Sequence, residues 1–148
     1  MGLIHEIRNG PLALDTVVFI YFIEEHPRFL PVLDSVFEAI DKERLPAFTS
    51  SLTLLEVLVI PYRGGNVPLA ERYEQVLTRS RGLRLVDIDR SQLRAAAQLR
   101  AAHANLRTPD AIQISAALSG GCSVLLTNDR ALPAIPGLRI LQLRDFAA

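Results

Sequence analysis

The chain has 148 residues, 49% of them hydrophobic and 22% charged. That excludes a disordered chain and leaves room for one domain, residues 1–148, with a sizeable core. A formal net charge of +0 excludes a broad basic field for polyanions, and the single cysteine, Cys122, excludes an intrachain disulfide or a thiolate zinc site. No apolar stretch reaches the roughly 20 residues of a membrane span, and the first ten residues have no signal-peptide pattern. The expectation is a soluble, cytoplasmic protein.

Residues 12–14 read as a short apolar strand ending at Asp15, and Val17 to Ile23 as a short helix. Pro27 opens a clearer helix, in which Phe29, Leu33, Val36, Phe37 and Ile40 recur at helical spacing. Pro46 to Thr49 is a buried strand. Ser50 or Ser51 then caps a helix that carries Glu56 and stops near Pro61. Gly64-Gly65-Asn66 is a turn, followed by a helix over about 68–79 and a strand over 83–88. Asp89 or Ser91 caps an alanine-rich helix to about Asn105. Thr108 caps another, with Pro109 at its first position and Gly120-Gly121 at its end. Ser123 to Leu126 and Arg139 to Leu143 complete the strands. This alternation predicts a three-layer α/β sandwich around a central, mostly parallel sheet of about five strands. In such folds the site lies beyond the carboxyl ends of the strands.

Four acidic residues stand at the edges of apolar segments: Asp15, Glu56, Asp110 and Asp129. Each has an ordinary explanation. Asp15 suits a helix cap, Asp110 a first helical turn, and Asp129 a turn. Glu56 is the hardest to dismiss, because a solvated role would need a narrow polar stripe shared with Thr53 and Ile60. Jointly the four point to one shared site. Two like charges ~4 Å apart repel by about 1 kcal/mol in water and about 4 at an effective dielectric of 20. A divalent cation relieves that repulsion, and oxygen-only ligands favour Mg2+ or Mn2+ over zinc or copper. Such ions suit phosphodiester hydrolysis, which needs no nucleophilic side chain. Arg107 and Arg130 each lie close in sequence to one of these carboxylates and are candidates for substrate phosphate. His5, His26 and His103 show no ligand spacing, and there is no Gly-rich phosphate loop. Arg79, Arg81 and Arg84 read as a solvated basic cluster.

With these motifs in order, the chain resembles the PIN domain, and within it the VapC-type toxin ribonucleases of toxin–antitoxin systems. The resemblance runs from Leu12 to Leu143. It rests on Leu14-Asp15-Thr16, on Ser51 to Glu56, on Thr108-Pro109-Asp110-Ala111-Ile112-Gln113, and on Leu126-Thr127-Asn128-Asp129. It implies a Mg2+- or Mn2+-dependent endoribonuclease with Asp15, Glu56, Asp110 and Asp129 as metal ligands. Thr16, Thr127 and Asn128 would stand just behind those ligands. It further implies an RNA substrate, a homodimer and a cognate antitoxin. Val17 departs from the Asn or Ser that many relatives carry there. Two alternatives remain open at this point: a housekeeping RNA-processing nuclease, and a non-catalytic PIN-like module that binds RNA or protein. A phosphoacceptor domain would need a late lysine, and Lys42 is the only one. A haloacid-dehalogenase-type phosphatase would need an aspartate at position 17.

Overall fold

The computed structural model describes residues 2–148. The elements in chain order are α1 (Leu3–Ile7), β1 (Leu12–Leu14), α2 (Thr16–Ile23), α3 (Leu30–Asp41), β2 (Ala47–Ser50), α4 (Leu52–Arg63) and α5 (Val67–Arg79). Then come β3 (Leu83–Val86), α6 (Arg90–Ala102), α7 (Thr108–Ser119), β4 (Val124–Thr127) and β5 (Arg139–Gln142), closed by a 3-10 turn at Leu143–Asp145. The five strands form one sheet in the order β3-β2-β1-β4-β5. Every pairing is parallel.

Side chains alternate across a strand, and the two cores divide accordingly. Leu12, Leu14, Val124 and Leu126 point into the core shared with α1 to α5, alongside Phe19, Leu33, Ile40 and Tyr73. Ala13 and Leu125 point the other way, to Ala96 of α6 and to Ala111, Ile114 and Ala117 of α7. Both faces of the sheet are therefore covered, and three layers result. No helix among the described residues is long and apolar enough to cross a membrane. Cys122 is buried, and that burial pushes its thiol up to about 12.

Several element ends differ from the sequence expectation. α3 begins at Leu30, with Pro31 in its first turn, rather than at Pro27. Residues 27–29 instead form a turn that stacks Phe29 on Tyr21. α4 runs through Pro61 to Arg63. A proline in the last turn forfeits only one helical hydrogen bond, and this ring is buried. β3 stops at Val86, and α6 stops at Ala102. Asp89, not Ser91, caps α6 by accepting from the Gln92 N–H at 2.8 Å. Thr108 is the first residue of α7 rather than its cap, and its hydroxyl accepts from Arg100. α1 has no counterpart in the sequence expectation. The face from Phe29 to Phe37 is core. Most of the exposed large apolar residues lie on α4, where Leu55 is 61% and Ile60 73% exposed, with Val59 and Tyr62 beside them and Val67 opening α5; Ile4, Leu93 and Leu118 are exposed singly elsewhere.

The entry to β3 passes against the last turn of α3. A Cβ added at Gly82 would stand 2.0 Å from the Ile40 carbonyl oxygen, and the Gly82 carbonyl accepts from Ala47 of β2 at 3.0 Å. The Gly82 backbone cannot give way without losing that pairing. Gly82→Ala should therefore cost about 2 kcal/mol or more. The expected readout is a lower urea midpoint with an unchanged slope, and a wild-type midpoint would refute the steric account.

Candidate functional site

β1 and β4 are neighbours, with Leu14 opposite Leu126. β2 and β3 lie on one side of this pair and β5 on the other. The connections that leave β1 and β4 thus diverge, which opens a crevice at the carboxyl ends of the strands. Asp15 follows β1 directly, and Asn128 and Asp129 follow β4. A cavity of about 490 Å³ occupies this position. Asp15, Glu56, Asp110 and Asp129 all line it, together with Thr16, Arg107, Gln113 and Asn128. Val17, Ile20 and Tyr21 of α2 form an apolar wall.

Each carboxylate has a defined setting. Asp15 accepts from the Thr16 N–H at 2.8 Å and from the Thr127 hydroxyl at 2.7 Å. Thr127 in turn accepts from the Asp129 N–H at 3.1 Å. Asp129 accepts from the Ala131 N–H at 2.9 Å, a side-chain turn that fixes its loop. Glu56 accepts from the Thr16 hydroxyl at 2.6 Å. Asp110, in the first turn of α7, pairs with Arg107 at 3.2 Å; the Asp110 side chain is 13% exposed and that of Arg107 74%. Asn128 accepts from the backbone N–H and side chain of Arg144, and its amide donates to Tyr21. Arg130 pairs with Asp145 at 2.7 Å. It does not line the cavity, so the structure separates it from the other candidates.

Burial is the main cause that raises the Asp15 carboxyl above its ordinary value. The hydrogen bonds from Thr127 and Thr16 oppose the rise, and the charges of Glu56 and Asp129 add to it. Asp110 is raised too, again mainly by burial; Arg107 opposes, and Asp15 and Asp129 add. The four acids thus share one electrostatic field. Among the described residues, no three His, Cys, Asp or Glu side chains are grouped so as to hold a metal ion. Protein donors engage the carboxylates as they stand, and like charges favour their separation. The donor chemistry still fits a hard divalent cation: four carboxylates, all oxygen, face one cavity.

Polar residues beneath the cavity were not evident as site residues in the sequence. Thr49, Thr53 and Gln113 are buried and link α4, α7 and the strands. The signal was available, since Gln113 is a lone polar residue flanked by Ile112 and Ile114, as Glu56 is among leucines and valines.

The PIN domain family model matches residues 12–138. The chain belongs to the PIN domain family. It is similar in fold to a VapBC2 structure from Rickettsia felis bound to a DNA fragment from their promoter. That likeness has a TM-score of 0.67 and 17% identity, and covers 88% of this chain and 97% of that one. DNA-bound VapBC from Salmonella typhimurium gives a TM-score of 0.64 at 26% identity, over 89% of this chain and 97% of that one. A toxin–antitoxin complex from Klebsiella pneumoniae gives 0.65 at 20% identity, over 86% and 94%. A comparison with curated proteins finds no match.

The raised Asp15 carboxyl sets a pH dependence. The native protein holds that proton more tightly than the unfolded chain, whose value is near 3.8. Stability therefore falls as pH rises from that value through the higher native one. Asp15→Asn removes the charge, and its amide can donate to Thr127. In EDTA at pH 7 the variant should melt above wild type. A penalty of about 1 kcal/mol from burial and like charge corresponds to about 2–4 °C in a chain of this size. The gap should close below the unfolded value, where Asp15 is protonated in both states. Thermal melts across pH test this; a variant less stable than wild type at pH 7 would contradict it.

Proposed function

We propose that this PIN domain is a Mg2+- or Mn2+-dependent endoribonuclease, the toxin of a toxin–antitoxin pair, with residues 1–148 acting as one nuclease domain. The observation that carries the reading is the convergence of four carboxylates, from four separate elements, on one cavity at the strand ends. A non-catalytic module has no need of four mutually repelling acids. The structures it resembles include a toxin–antitoxin complex, which favours a toxin over a housekeeping nuclease.

In this reading Asp15, Glu56, Asp110 and Asp129 hold the metal. Held by these four, a divalent ion would supply a more acidic water and positive charge to offset that developing on the scissile phosphate. The protein's own side chains do the rest. Thr127 and the Thr16 N–H hold Asp15 as an acceptor. The Thr16 hydroxyl aims Glu56, whose carboxylate can accept a proton from an attacking water. Arg107 sits on the cavity rim with most of its side chain in solvent. It can exchange Asp110 for a substrate phosphate, a partner its fork suits equally well. Val17, Ile20 and Tyr21 offer an apolar wall to the sugar and base of an unpaired nucleotide. The exposed apolar face of α4 is the surface that an antitoxin or a second copy would cover.

The expected result is cleavage of structured RNA, tRNA included, in Mg2+ or Mn2+. EDTA should abolish it, and Asp15→Asn should reduce it by about 100-fold or more. Cleavage that persists in EDTA, or in the folded variant, would refute the metal-nuclease reading.

A further inference from the structure

The hydrogen bonds beneath the cavity can be assigned a direction by counting protons. The Gln113 carbonyl oxygen accepts from the Ser50 N–H at 3.3 Å, which orients the amide. Its NH2 group then faces Thr53 at 2.7 Å and Thr16 at 3.3 Å, one proton for each. Thr49 donates its only proton to the Leu14 carbonyl at 2.8 Å. The 2.7 Å contact between Thr49 and Thr53 must therefore be bridged by the Thr53 proton. Thr16 spends its proton on Glu56 at 2.6 Å. Nothing is left to bridge Thr16 and Thr53, and their contact is accordingly longer, 3.2 Å.

Two chains follow, both starting from the same amide. One runs from Gln113 through Thr16 to the Glu56 carboxylate. The other runs from Gln113 through Thr53 and Thr49 to the Leu14 carbonyl, in the peptide group that leads into Asp15. The N–H of that same peptide donates to Leu126 at 3.0 Å. Every proton points away from Gln113, toward a carboxylate or a backbone carbonyl. Gln113 is only 4% exposed, so these bonds are largely shielded from water.

Resting on the metal-nuclease reading, we infer that Gln113 is a positioning residue for the acidic site. Its amide holds, through two threonine relays, both the Glu56 carboxylate and the backbone that carries Asp15. Its amide bonds to Thr16 and Thr53 rather than to a carboxylate, and it acts through them. An acceptor at this position would draw the Thr16 and Thr53 protons to itself and away from Glu56 and Thr49, and an apolar side chain would leave Thr16 and Thr53 without a donor.

The test is Mn2+ affinity, measured by calorimetric titration of the purified chain with Mn2+ alone. Gln113→Met and Thr16→Val should each weaken binding about 10-fold or more, the usual effect of removing a group that orients a ligand. Thr16→Ser keeps the hydroxyl and should return affinity to within about twofold of wild type. Gln92→Met is the control. Gln92 is equally buried, but its amide bonds to Asp87 and lies outside both relays, so affinity should stay at the wild-type value. Folded Gln113→Met with wild-type affinity overturns the inference, and so does Thr16→Val with wild-type affinity. Should Gln113→Met not fold, the wild type decides by nuclear magnetic resonance. The Gln113 side-chain amide signals should shift as Mg2+ is added, and signals that stay fixed while the site saturates overturn the inference. A wild type that binds no Mn2+ at all is a different result, and refutes the metal-nuclease reading itself.

Discussion

The parallel pairing of β1 with β4 is the constraint on which the site depends. Leu14 opposite Leu126 brings Asp15 level with Thr127, and the Asp15 N–H closes the ladder onto Leu126. A one-residue slip would turn Leu12 and Leu14 out of their core and carry Asp15 away from Thr127. The division of two short buried strands between the two cores thus fixes the spacing of two carboxylates. The other two are added from the flanking layers: Glu56 from α4 on one face of the sheet and Asp110 from α7 on the other. Each is brought in by a helix whose buried face packs on that sheet.

The forces at the cavity are closely matched. Two carboxylates ~4 Å apart repel by about 1 to 4 kcal/mol, depending on the local dielectric. A hydrogen bond to a charged group returns about 1.5–3 kcal/mol net. Asp15 has two such bonds, enough to hold the side chain in place but not to cancel the effect of burial, so its carboxyl remains raised. Neutral hydroxyls and two amides surround the acids on the protein side, and Arg107 is the only cation among the residues that line the cavity. A buried cation would neutralise the acids permanently. Hydroxyl donors hold them in place while leaving their charge available to a ligand.

The carboxylates were legible in the sequence because each stands at the edge of an apolar segment, where an unpaired charge is costly. The sheet was legible because its strands alternate with amphipathic helices. The errors came where a local signal has two physical meanings. Proline marks a helix start, yet both Pro27 and Pro31 were available, and stacking of Phe29 on Tyr21 decided for the later one. Pro61 read as a stop, but the last turn tolerates it. Arg130 is next to Asp129 in sequence, yet it turns outward to Asp145, because a neighbour in the chain need not face the same way. Gln113 and Thr53 were passed over because polar residues that are neither charged nor ligands carry no chemistry of their own. Their role appears only when α4 and α7 are brought together over β2.

Val17 shows how the network and the cavity wall are connected. The family resemblance leads one to expect a polar Asn or Ser there, able to donate toward the acids from the first turn of α2. Val17 cannot donate, and it joins Ile20 and Tyr21 in an apolar wall. On that first turn only Thr16 retains a side-chain hydroxyl near the carboxylates, and its single proton goes to Glu56. The hydroxyl can do this in one fixed direction only because Gln113 supplies a proton to its oxygen. Orientation of Glu56 therefore depends on α7, which also carries Asp110. A small shift of α7 along the sheet would move one carboxylate directly and release another through the relay, so the packing of Ala111, Ile114 and Ala117 on the sheet governs half of the acidic site.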